Sequence, residues 1–259
     1  MDKTVGFIGF GHIATAVAKG LIRTHSVKKN DVFAFDTDAA KLKENAKEVG
    51  VGVSGSIAEL VEKSDVVIVA VTAKAVPAAL SPIANALDGK ILVSFAAGYG
   101  FEEYKDILPS SVHRISAIPN IPFEAGEGML LCENIHSLTP DEYAVFNRLF
   151  GKTAVLETVS ASCFNAAGTL SGCAPAYAAM FVEALADAGV KHGVPRNIAY
   201  KIAAQVAVGA GKLCLDSKPS DVKDAVCSPG GTTIKGVASL EKDGFRGAVI
   251  NAIDSILCK

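Results

Sequence analysis

Val5-Gly6-Phe7-Ile8-Gly9-Phe10-Gly11-His12-Ile13-Ala14 decides the fold. Thr4 to Ile8 is a short apolar run of strand character, and it passes without a break into a G-x-G-x-x-A turn. The turn opens Ala14 to Ile22, whose apolar residues recur at helical spacing. Glycines at 9 and 11 permit a tight turn and close approach of a ligand to the backbone, and free N–H groups at a helix start attract an anion. The motif alone also fits an ordinary glycine-rich turn. Its place between a strand and a helix selects the pyrophosphate of a dinucleotide, held by the backbone of Gly9, Phe10, Gly11, His12 and Ile13.

Outward from this unit the same rhythm repeats. Val32 to Asp36, Val66 to Val71 and Ile91 to Phe95 read as buried strands, separated by helix candidates Ala39 to Glu48, Ile57 to Glu62 and Val76 to Leu87. Strand and helix in alternation predict right-handed crossovers and a parallel sheet covered on both faces. After Pro119 the pattern breaks, and Met129 to Cys132 and Ala154 to Leu156 extend the sheet. Thr139-Pro140-Asp141-Glu142 opens the helix between them, with threonine at the cap and glutamate three residues on.

From about residue 159 the strand signal stops. Tyr177, Met180, Phe181, Ala184, Leu185 and Ala188 fall on one helical face, and Ile198 to Leu215, Thr233 to Glu241 and Phe245 to Leu257 continue as helices. The expected fold is therefore α/β: a Rossmann-type, mostly parallel sheet over residues 1–158, then an all-α domain over 159–259. The second domain carries more apolar surface than a bundle of about a hundred residues hides by itself, which predicts an intimate homodimer.

Asp36, at the end of the second strand, is placed to accept hydrogen bonds from the adenosine ribose and to repel a 2′-phosphate, although capping the strand end is an alternative role. NADH is expected to be preferred, with NADPH possible. Ligands of such sheets lie beyond the carboxyl ends of the strands, so Ala70, Val71 and Thr72, with Ala96, Ala97 and Gly98, are expected on the nicotinamide side.

Among 259 residues, 25 basic and 27 acidic side chains are spread without a like-charged block, which argues against a nucleic-acid partner. Six cysteines show no C-x-x-C spacing, so neither a metal site nor a disulfide framework is expected. No leader pattern precedes Val5, and Val66 to Val71 is too short to cross a bilayer, so a cytoplasmic protein without a membrane partner is expected.

Ser228-Pro229-Gly230-Gly231-Thr232-Thr233 is a turn feeding a helix start, a receptor for a small carboxylate as well as a plain cap. With Asp224 to Cys227 before it and Gly244-Phe245-Arg246 after it, this stretch resembles the signature of pyrroline-5-carboxylate reductases. Gly6-Phe7-Ile8-Gly9, Ala96-Ala97-Gly98, Ile118-Pro119-Asn120-Ile121-Pro122, Pro175-Ala176-Tyr177 and Glu183 to Val190 resemble the same family, in order, across essentially the whole chain. The resemblance implies reduction of the cyclic imine 1-pyrroline-5-carboxylate to L-proline. It implies a carboxylate held around Ser228, Gly230, Gly231 and Thr232, and Thr233 at the ring nitrogen as the candidate catalytic residue. It also implies Asn120 on the nicotinamide and substrate side, and a dimer, alone or in a larger ring of dimers.

The chain departs from the family at three places. Thr72-Ala73 replaces a lysine-proline pair, Ser116 an arginine, and Gly172-Cys173-Ala174 a glycine-serine-glycine. Lys74 and Arg114, the cations nearest the first two, are expected on the solvated surface. Two other readings remain: a hydroxyacid dehydrogenase, which would need a lysine that Asn165 to Tyr177 lacks, and a non-catalytic sensor of the dinucleotide.

Overall fold

The computed structural model describes residues 3–258. The chain forms two compact units that divide between Gly172 and Cys173. The expected boundary at 158/159 falls instead at the junction of the last strand and the long helix that follows it.

In the first unit, β1 (Val5–Ile8), α1 (His12–Arg23), β2 (Val32–Phe35), α2 (Ala39–Val49), β3 (Gly52–Val53), α3 (Ile57–Lys63), β4 (Val66–Val69), α4 (Val76–Leu80) and β5 (Ile91–Ser94) follow in order. β6 (Arg114–Pro119), β7 (Gly128–His136), α5 (Pro140–Phe150) and β8 (Ala154–Val159) complete it. The eight strands make one sheet in the order β3-β2-β1-β4-β5-β6-β7-β8. All neighbours are parallel except β6 and β7.

Both faces of the central strands are buried, so their residues alternate between two cores. Val5, Phe7, Val66 and Ile68 join Phe10, Val17, Leu21, Phe123, Phe146 and Phe150 on one side. Ile8, Val67 and Val69 join Leu60, Leu80, Leu92 and Tyr104 on the other. The continuous apolar runs of β1 and β4 are the sequence form of this double burial.

The expected helix Val76 to Leu87 is α only to Leu80, and Ser81–Leu87 winds as a 3-10 helix. Pro82 lacks the N–H that an α-helical bond at that turn requires. Strands β3 and β6 have no counterpart in the sequence reading: β3 is two residues long, and the run of β6 lies against the prolines of 119 and 122. The Thr139 capping box is present, its hydroxyl accepting from the Glu142 N–H and the Glu142 carboxylate from the Thr139 N–H at 2.8 Å.

The long helix α6 (Ala161–Lys191) leads into the second unit, which continues with α7 (Arg196–Asp216), α8 (Pro219–Ala225), α9 (Thr232–Lys242) and α10 (Phe245–Leu257). Its buried core within one chain is small: Ala186, Ala199 and Ala203, with Val182, Val190 and Val194 against them. Met180 is 67% exposed, and Phe181, Leu185, Ile202, Val206, Leu213 and Leu215 are exposed as well. By length and composition α6 and α7 are apolar enough to cross a membrane. A single copy leaves these faces uncovered. Among the described residues no group of histidine, cysteine or carboxylate side chains could hold a metal ion. All six cysteines are free thiols, and burial pushes Cys132 up to about 12.

Candidate functional site

The glycine turn sits where its sequence position requires. Gly9 has φ +87°, its N–H donates to the Phe35 carbonyl at 2.8 Å, and a Cβ there would lie 2.9 Å from the Ala70 backbone and 2.7 Å from Val71. Gly9, Ala70 and Val71 thus meet at the carboxyl ends of β1 and β4. Gly11 caps α1, whose first turn has no side-chain cap and no acidic residue. Its N–H groups, including those of His12 and Ile13, are left for an anion.

Asp36 does two jobs. Its carboxylate accepts the Phe10 N–H at 2.8 Å and the Asp38 N–H at 3.1 Å, so it fixes the glycine turn as well as ending β2. A carboxylate offers about four acceptor positions, which leaves room for ribose hydroxyls. From α2, Asn45 donates to the Phe10 carbonyl at 2.7 Å. Phe10 is held at both ends of its backbone while its ring is buried against Phe7. Sequence reading missed Asn45, because nothing local marks a contact 35 residues away.

Beside Asp36 lies a mostly apolar cavity of about 200 Å³, walled by Ile8, Phe35, Ile57, Val71, Ala75 and Ala79. A small apolar cavity next to an acidic strand end suits an adenosine. The cradle at Gly9, the uncapped α1 and this cavity together fit a dinucleotide. A larger hollow of about 490 Å³ lies where α1 and α5 end, with His25, Arg148 and Lys152 on its wall. Arg148, in the last turn of α5, and Lys152 just beyond it compensate that helix C-terminus, whose dipole disfavours an anion there.

Of the residues expected on the nicotinamide side, Thr72, Ala97 and Gly98 are exposed beyond the ends of β4 and β5. Asn120 is buried, its Nδ2 donating to the Ser171 carbonyl at 3.2 Å and its Oδ1 accepting the Met129 N–H at 3.0 Å. It ties the end of β6 to β7 and to the first part of α6.

Arg114 is not on the surface as expected. It is buried on β6, on the same face as Ser116, with its guanidinium 4.2 Å from the Phe101 ring. Glu133 of β7 is buried beside them and accepts the Phe101 N–H at 2.8 Å. Burial pushes the Glu133 carboxyl above its ordinary range, while hydrogen bonds from Phe101 and Ser116 oppose the shift. A charge inside the apolar run Leu130-Leu131-Cys132-Glu133 was the available signal for this cluster. Lys74 is exposed as expected.

In the second unit, Ser228 to Thr233 forms the turn before α9. Gly230 has φ +70°, the Gly231 N–H closes the turn on the Ser228 carbonyl at 3.0 Å, and Gly231 caps α9 with no side chain accepting from the helix. Ser228, Thr232 and Thr233 are exposed. The N-terminal N–H groups of an eleven-residue helix, flanked by three hydroxyls, are donors of the kind a carboxylate accepts from.

Two family profiles match the chain. Residues 161–259 match pyrroline-5-carboxylate reductase dimerisation, and residues 4–98 match NADP oxidoreductase, coenzyme F420-dependent. The chain is 38% identical to a pyrroline-5-carboxylate reductase of Treponema pallidum, covering 98% of each protein. It is 34% identical to that of Escherichia coli, covering 100% of this chain and 97% of the relative. Among solved structures, a Plasmodium falciparum pyrroline carboxylate reductase with NADP bound superposes with a TM-score of 0.85 at 27% identity, covering 98% of this chain and 95% of that one. The Streptococcus pyogenes enzyme gives 0.83 at 27% identity, covering 98% and 96%.

Proposed function

The chain belongs to the pyrroline-5-carboxylate reductase family, and from that premise we propose that it reduces 1-pyrroline-5-carboxylate to L-proline in the cytoplasm, as a homodimer. The observation that carries the reading is likeness over the whole chain, together with an uncapped helix start at the turn expected to take the substrate carboxylate.

Gly9 to Ile13 would hold the pyrophosphate, and Asp36 with the adjoining cavity the adenosine. Ala70, Val71, Thr72 and Ala97 would flank the nicotinamide, with Asn120 bracing that side. When bound, the reduced nicotinamide supplies a hydride. The backbone around Ser228, Gly230, Gly231 and Thr232 orients the substrate by its carboxylate, and Thr233 steadies the ring nitrogen by a hydrogen bond. A protonated imine is already electrophilic, so orientation is the main demand on the protein and no strong acid is needed at this step. An unactivated threonine hydroxyl suits a positioning contact and is too weak an acid for more. Loss of NADH absorbance on adding 1-pyrroline-5-carboxylate, set against other cyclic imines and 2-keto or 3-hydroxy acids, tests the reaction. Turnover confined to a hydroxy or keto acid refutes it.

NADH is the preferred cofactor in this reading, because the Asp36 charge lies where a 2′-phosphate would sit. Asp36 also holds Phe10, so Asp36→Ser should weaken both cofactors, and only their ratio reports the discrimination. The variant should narrow the NADH advantage in kcat/KM several-fold. A wild-type enzyme that works better with NADPH defeats this role for Asp36.

The exposed apolar faces of α6 and α7 are assigned to a second copy of the chain. Burying a Leu, Ile, Phe or Met side chain is worth about 1.5–3 kcal/mol, and at least six such side chains are exposed here. Sedimentation should find dimers, or multiples of them, and no folded monomer at micromolar concentration. A stable, active monomer is the contrary result, and sedimentation with detergent micelles would expose a membrane preference.

A further inference from the structure

The segment after β5 runs Phe95-Ala96-Ala97-Gly98-Tyr99-Gly100-Phe101, and its last residue is gripped from below by two buried charges. Glu133 Oε2 accepts the Phe101 N–H at 2.8 Å. Arg114 lies under the ring at 4.2 Å and reaches the Phe101 carbonyl with its terminal nitrogen at 3.5 Å. Glu133 and Arg114 are 4% and 5% exposed, and the Arg114 Nε has no partner among the described residues. Gly100 rides so close that a Cβ there would come within 3.3 Å of the Glu133 carboxylate and 3.2 Å of that of Glu103. Just beyond it, the Tyr104 hydroxyl donates to Ser94 at 2.5 Å, which ties the turn after Phe101 to the end of β5.

Buried charges are costly to keep, and a hydrophobic packing of similar volume is often as stable. Holding two of them beneath one loop is therefore better explained by what the loop does than by stability. The first three residues beyond Phe95, Ala96 to Gly98, are those assigned to the nicotinamide side. We infer that Glu133 and Arg114 are positioning residues: they fix Phe101, and through the short Gly98–Gly100 link they hold Ala96–Gly98 in place for the nicotinamide, without touching it. The inference rests on the assignment of that strand end to the cofactor.

The test uses the full-length protein, with Kd measured for NADH and for ADP-ribose, which lacks the nicotinamide, and kcat measured with 1-pyrroline-5-carboxylate. Glu133→Ala removes a charged acceptor, and should lower kcat and raise the NADH Kd by about tenfold each, leaving the ADP-ribose Kd within about twofold. Glu133→Gln, whose amide oxygen accepts the same N–H, should stay within about threefold of wild type. Gly100→Ala sets a Cβ against the Glu133 and Glu103 carboxylates, disturbs the same contact from the loop, and should repeat the Glu133→Ala pattern in direction even if that variant fails to fold. Equal weakening of NADH and ADP-ribose, or wild-type values in Gly100→Ala and Glu133→Ala, overturns the inference. A wild-type protein that binds NADH yet leaves 1-pyrroline-5-carboxylate unreduced removes the assigned reaction, and the two binding constants still decide the loop.

Discussion

Gly9→Ala should reduce NADH affinity by roughly thirty- to four-thousand-fold while the helical unit still dimerises. Two costs act together. At φ +87° an alanine occupies the left-handed region, at about 1–2 kcal/mol. Its Cβ would also meet the Ala70 backbone at 2.9 Å and Val71 at 2.7 Å, and overpacking of that kind costs about 1–3 kcal/mol. Neither obstacle is the end of a flexible side chain, so the turn itself must move. At about 1.4 kcal/mol per decade the sum gives the stated range, if the strain is relieved by abandoning the binding conformation. Gly11→Ala supplies the contrast. The nearest atom to its Cβ is the Lys41 Nζ at 3.8 Å, so the free protein accommodates it and its Tm should hold. Any loss of NADH affinity in that variant comes from the ligand's side of the turn. Isothermal titration of both variants checks the pair, and NADH binding by Gly9→Ala within threefold of wild type would place the pyrophosphate elsewhere.

The central strands β1, β4 and β5 were legible because they are short and buried on both sides. Double burial writes itself as a continuous apolar run, as in Val66 to Val69, and period alone then separates strand from helix. Where one edge of the sheet turns antiparallel the signal fades. β6 has to be inferred from its partners, and its register against β7 shifts between Ile115 and Ala117. The site divides in the same way. Backbone-built parts, such as the turns at Gly9 and Gly230, are marked by glycines that the local geometry requires. Parts built by side chains reaching across the fold are marked weakly, as by Glu133, or not at all. Asn45 is an ordinary polar residue of α2 until Phe10 is folded against it, and Arg114 reads as a solvated cation until Phe101 covers it. Asp36 shows the intermediate case, since both roles open to it at the strand end rest on its one carboxylate.

The turn before α9 carries the other large effect, and its two halves should fail differently. Gly231 has φ −68°, so an alanine there is not strained by its own backbone. Its Cβ would instead lie 2.4 Å from the Ser228 hydroxyl and 3.1 Å from the Ser228 carbonyl. The serine hydroxyl can rotate away, but the carbonyl closes the turn through the Gly231 N–H, so Gly231→Ala should open the N–H cradle at the α9 start. A carboxylate ligand then loses charge-assisted hydrogen bonds worth about 1.5–3 kcal/mol, and KM for 1-pyrroline-5-carboxylate should rise by about tenfold or more, with the NADH Kd little changed. Thr233→Ala leaves that cradle whole. It removes one contact to the ring nitrogen, about 0.5–1.5 kcal/mol for a neutral pair and more for a charged one, so kcat/KM should fall by roughly three- to a hundred-fold. Removal of a general acid required by the reaction would show a far deeper loss, and the pH profile would lose the limb that acid imposes. Kinetics of both variants beside NADH titrations separate the roles. Wild-type KM and kcat in both would move the substrate off this turn, and would leave the exposed hydroxyls of Ser228, Thr232 and Thr233 as no more than the cap of a helix.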